Sequence, residues 1–150
     1  RIPAPAGSAT PIQSEKLAKA IAIARAWQNE VKSGKTNAAM NGWGYSAFTG
    51  TTPEALHESL SGQTALLGPL LYSELEEDRC LVDLSGGTGP AKGIYITLRW
   101  LSQYEKGYHR DNIILHEPDA GGHGLKIIGL RREPLPATHR IQFRAFRRQA

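Results

Sequence analysis

The sequence predicts an α+β domain, with helices leading and a mixed or antiparallel sheet following. Three observations carry this. Leu17, Ala20, Ile21, Ala24, Trp27 and Val31 recur at helical spacing early in the chain. From Cys80 onward the pattern changes to short runs rich in β-branched and aromatic residues, punctuated by glycine and proline. Helices and strands are therefore segregated, not alternated, which argues against repeated βαβ units. With 150 residues, 40% of them hydrophobic and 21% charged, the chain has the size and apolar content for one core. Residues 1–9 read as a Pro/Ala/Gly-rich linker or tail, and residues 10–150 as a single domain.

The first helix opens at Thr10-Pro11-Ile12-Gln13, where threonine can cap, proline suits the first turn and glutamine can close a capping box. It ends near Ser33-Gly34. Residues 43–50 read as an aromatic-rich strand, and Thr51-Thr52-Pro53-Glu54 opens a second helix that Ser61-Gly62 ends. A further helical stretch is expected over 64–78, interrupted at Gly68-Pro69. Strands are expected at Cys80–Leu84, Gly93–Thr97, Asn112–His116, Leu125–Leu130 and Arg140–Phe146, with one helix, Leu98–Lys106, among them.

No run of eighteen apolar residues occurs, so no membrane-spanning helix is expected. The first residue, Arg1, implies a piece excised from something longer, whose parent chain can carry a signal peptide. The lone Cys80 excludes an internal disulfide and reads as a small core residue. Net charge is +4, with Arg131, Arg132, Arg140, Arg144, Arg147 and Arg148 crowded near the end. Such a cluster suits nucleic acid, an acidic protein face or an anionic cofactor, or else a solvated edge strand kept soluble by arginine.

The glycine-rich loop Ser85–Gly93 fails as a phosphate-binding P-loop, because Ala91 precedes Lys92 and a strand follows. It is either an ordinary connection or a mobile loop beside a ligand cleft. His116, Glu117, Asp119 and His123 are close in sequence, but their spacing matches no zinc motif, and no metal is expected. Two of the five histidines, His57, His109, His116, His123 and His139, could serve as acid and base in RNA cleavage, with arginines holding the phosphate.

The segment Lys92-Gly93-Ile94-Tyr95-Ile96-Thr97, followed by the expected helix ending near Tyr104, resembles the diphtheria-toxin/PARP branch of the ADP-ribosyltransferases. The resemblance implies a fold wrapped around one NAD-type cleft, with the nicotinamide ring between Tyr95 and Tyr104. Upstream, Gly44 to Thr51 looks like the family's first strand, with Thr49 standing where the family carries histidine. Downstream, Arg132-Glu133-Pro134-Leu135-Pro136 looks like the segment bearing the catalytic glutamate.

That resemblance implies NAD as a substrate, cleaved at its nicotinamide–ribose bond, with ADP-ribose passed to a protein or nucleic-acid acceptor. Glu133 would hold the ribose 2′-hydroxyl and stabilise the developing cation, and Thr49, Gly50 and Thr51 would contact the dinucleotide. Glu117, also followed by proline, is the alternative acid. The setting implied is a secreted bacterial toxin or effector working in a target-cell cytoplasm, with an acidic or immunity partner for the arginine-rich end. Two other readings stay open, a small basic ribonuclease toxin and a non-catalytic module that binds an acidic partner.

Overall fold

The computed structural model describes residues 2–3, 11–32, 62–63, 65–119 and 124–136. Among these the elements run β1 (Ile2–Pro3), α1 (Pro11–Lys32), β2 (Leu70–Leu75), β3 (Leu81–Gly86), β4 (Gly93–Tyr104), β5 (Gly107–Pro118) and β6 (Lys126–Leu135). The expected strands at 43–50 and Arg140–Phe146, the helix opening at Thr51 and nearly all of the N-terminal tail lie outside the described residues. Within them the architecture is α+β, one helix against an antiparallel sheet.

The sheet is ordered β1-β3-β4-β5-β6, and β2 also pairs with β4. β2 takes Trp100–Tyr104 and β3 takes Gly93–Thr97, so the two lie end to end along one edge of β4. A short 3₁₀ turn, Glu77–Arg79, joins them, and the Glu76 amide donates to the Arg99 carbonyl at 2.8 Å. β5 fills the other edge of β4 in one uninterrupted register from Gly93↔Pro118 to Tyr104↔Gly107. β6 follows β5 with one extra residue, Ile128, bulged out where the register shifts between Ile114 and Leu115.

One expected helix proves to be a strand, and a second is helical before Gly68 and a strand after Pro69. A helix is expected at Leu98–Lys106, yet residues 93–104 form the single strand β4. The decisive pattern is period two: Ile96, Leu98, Trp100, Ser102 and Tyr104 are all buried and alternate along the strand. The stretch 64–78 likewise contains β2, and its helical appearance stops at Gly68-Pro69. Gly68 adopts φ +76°, and a Cβ there would lie 2.7 Å from Glu105 Cβ, so both backbone and space demand glycine.

The residues of β4 that face α1 pair with His109, Asp111, Ile113 and Leu115 of β5, and these with Pro134, Arg132, Leu130 and Ile127 of β6. α1 lays Ala20, Ala24 and Trp27 across the apolar part of this face, against Val82, Ile96, Leu98, Ile113, Leu115 and Ile127. The small alanines let helix and sheet approach closely. Lys16 on α1 donates to both oxygens of Glu117 at 3.0 and 3.1 Å, and Arg25 sits 4.4 Å over the Trp100 ring. These contacts fix the helix from the Glu117 end of the sheet as far as Trp100. Beyond Trp100 the same face turns polar.

Candidate functional site

On the polar stretch, four side chains from three strands meet. Tyr104 ends β4, His109 and Asp111 open β5, and Arg132 lies on β6 directly across from Asp111. Alternation along each strand points all four to the helix-side face. The Tyr104 hydroxyl donates to Asp111 Oδ2 at 2.5 Å, and Arg132 Nε donates to the Tyr104 oxygen at 3.1 Å. Arg132 Nε also lies 3.5 Å from Asp111 Oδ1, its guanidinium carbon 5.1 Å from the Tyr104 ring centre. Arg132 Nη1 donates to Gln63 Oε1 at 2.5 Å, and His109 meets the Tyr104 ring edge-on at 5.5 Å.

The electrostatics follow from burial. Asp111 is 3% exposed, and removal from water pushes its carboxyl up, against the Tyr104 hydrogen bond, the Arg132 charge, the Ser102 hydroxyl and His109. Burial raises the Tyr104 hydroxyl as well, reinforced by the Asp111 charge and opposed by Arg132. Burial pulls the His109 imidazole below its ordinary value; Asp111 opposes this and Arg132 adds to it. No described residue hydrogen-bonds the buried His109 Nδ1.

A cleft of about 390 Å³ opens above this cluster. Leu66, Leu67, Leu130 and Pro134 give it apolar walls, and Gln63, His109 and Arg132 supply polar groups. Apolar walls with a few convergent polar groups are the common pattern of small-molecule sites.

The residues that the sequence singled out are not gathered here. Tyr95 and Tyr104 stand on one strand nine positions apart, so they point to opposite faces, separated by roughly 30 Å at the usual rise per residue. They cannot sandwich one ring. Tyr95 instead stacks on His116 at 4.4 Å and donates its hydroxyl to the Ala91 carbonyl. Glu133 pairs with Arg110 on the face away from the cleft, accepts from Asn112 Nδ2 at 3.1 Å and is 44% exposed. Glu117 is held by Lys16 at the far end of the sheet. Thr49, Gly50 and Thr51 lie outside the described residues, as do His57, His123, His139 and the arginines from Arg140 onward.

His109 and His116 occupy opposite faces of β5, so they do not form an acid–base pair. Among the described residues no three His, Cys, Asp or Glu side chains converge as metal ligands. No described helix is long and apolar enough to cross a membrane. The glycine-rich loop packs against Tyr95, and a Cβ on Gly86 would meet its ring at 2.8 Å. Of the basic cluster, Arg131 is exposed while the Arg132 side chain is only 9% exposed, so one of the supposed surface charges belongs to a largely covered network. Its signal in the sequence was a set of polar residues at core-facing positions, legible only once the strand register is known. No protein-family model, curated protein or solved structure matches this chain.

Proposed function

We propose that this domain is a ligand-binding module whose site is the cleft bounded by Leu66, Leu67, Leu130 and Pro134. One observation carries the reading: the apolar walls converge on His109 and Arg132, which a buried Tyr104–Asp111 pair holds in place. Side chains fixed in this way lose little entropy when a ligand arrives, so the site is preorganised. NAD cleavage, the activity implied by the sequence resemblance, has no shared site among Tyr95, Tyr104 and Glu133 in this arrangement. An acidic macromolecular partner would find Arg131 exposed, but a concave apolar pocket suits a small molecule better.

Thermal denaturation with a panel of small amphiphiles, uncharged, cationic and anionic, tests the proposal. A ligand at one hundred times its Kd stabilises the folded state by about 2.7 kcal/mol, well within detection. Leu66 is exposed, so Leu66→Trp is expected to narrow the cleft and weaken binding while leaving the unliganded melting point unchanged. NAD belongs in the same panel, with nicotinamide release read alongside. If no amphiphile shifts the transition, or if Leu66→Trp binds as well as the parent, the cleft is not the site. Catalytic nicotinamide release would restore the NAD reading over this one.

A further inference from the structure

The Arg132 guanidinium has more donors than the protein uses. A guanidinium presents five N–H groups. Here Nε is taken by Tyr104 and the neighbouring Asp111 carboxylate, and Nη1 gives one bond to Gln63. No described residue accepts from the remaining three donors, although the Arg132 side chain is only 9% exposed. Donors that the protein leaves over at the wall of an apolar cleft are open to a ligand's acceptor. Its Tyr104, Asp111 and Gln63 contacts also fix the plane of the group, so the outer Nη1–Nη2 edge is held at a set angle.

We propose that this edge is the recognition element for the carboxylate of a small, otherwise apolar monoacid, whose body lies against Leu66, Leu67, Leu130 and Pro134. The inference rests on the cleft being the binding site. A planar two-oxygen group matches the guanidinium fork, giving two parallel charge-assisted hydrogen bonds. The charge also suits a single negative group. Of the two described arginines that line the cleft, Arg131 is exposed and lies 3.7 Å from Glu133, which leaves Arg132 as the better-shielded cation. A phosphate monoester, with nearly two charges, would be under-compensated.

The test compares decanoate and 2-naphthoate, each beside its uncharged amide and beside decyl phosphate, by calorimetric titration of the whole chain. Each acid is expected to bind about tenfold or more tightly than its amide, the advantage of a hydrogen bond to a charged group. Arg132→Lys keeps the charge and removes the fork, so it should narrow that preference, and Arg132→Gln should erase it. The comparison of acid with amide on the unaltered protein stands even where a variant fails to fold. Equal affinity for acid and amide overturns the carboxylate assignment and leaves the cleft reading intact. Tighter binding of decyl phosphate than of decanoate overturns the single-charge argument. Failure of every probe to bind overturns both readings together.

Discussion

The helix-side face of the sheet has two halves built from the same three strands on opposite principles. Between Ile96 and Trp100, the residues that face α1 are apolar and packed beneath alanines and a tryptophan. Between Ser102 and Asp111, the same alternation delivers a serine, a tyrosine, a histidine and an aspartate, joined across the ladder by Arg132. The first half is held by non-directional burial, which tolerates approximate shape. The second is held by short, directional bonds, each of which leaves a buried group unpaired if broken. Stability resides mainly in one half, and the capacity to recognise something resides in the other.

The sharpest way to break this division is Trp100→Ala. Trp100 is fully buried at the border of the two halves, beneath Arg25. Its removal is expected to cost about 4 kcal/mol in urea denaturation. A loss under about 1 kcal/mol would mean that the helix-covered half is not the stabilising one.

Asp111→Ala should come next, at about 3 kcal/mol, because it takes the acceptor from a largely covered guanidinium and a buried hydroxyl. Asp111→Asn keeps the shape and should cost less. If the alanine variant were neutral, the polar half would not be the coupled network that its geometry describes.

The smallest effect separates the halves by pH. The His109 pKa is depressed below its ordinary 6.5 in the folded chain. The folded state then binds fewer protons at this ring than the unfolded state does. His109 therefore contributes stability that is present above pH 6.5 and is lost as pH falls through the lower folded value. His109→Gln should flatten the stability–pH curve in that window. No member of the apolar cluster titrates there, since Cys80, its one ionisable thiol, is raised by burial to about 11. An unchanged curve in the variant would put the acid sensitivity elsewhere.

How much of this could be read in advance differs between the two halves. Helix α1 was legible because Leu17, Ala20, Ala24 and Trp27 keep one period over a long segment, and burial follows it. The strand character of Gly93–Thr97 and of the cores of β5 and β6 was legible from β-branched residues. The strands' full lengths were not. In Leu98-Arg99-Trp100-Leu101-Ser102-Gln103-Tyr104, leucines three apart imitate a helix, and only pairing with β2 and β5 settles the period. That one misreading placed Tyr104 on a helix facing Tyr95. The candidate site was hidden for the same reason: Tyr104, Asp111 and Arg132 become neighbours through strand register, a long-range property that no local window contains.

The tip of the β4–β5 hairpin has a further consequence. Glu105 and Lys106 connect the strands with neither residue at positive φ, unlike the turns that best match strand twist. Their amides are instead donated outward, Glu105 to the Pro69 carbonyl and Lys106 to that of Leu67, both at 3.0 Å. The hairpin tip is thus latched to the segment that bears Leu66 and Leu67. Amide protons at a hairpin tip ordinarily exchange with solvent within moments, but these two are released only when that segment lifts. Their deuterium uptake therefore measures how often one wall of the cleft stands open, with no ligand needed to reveal it.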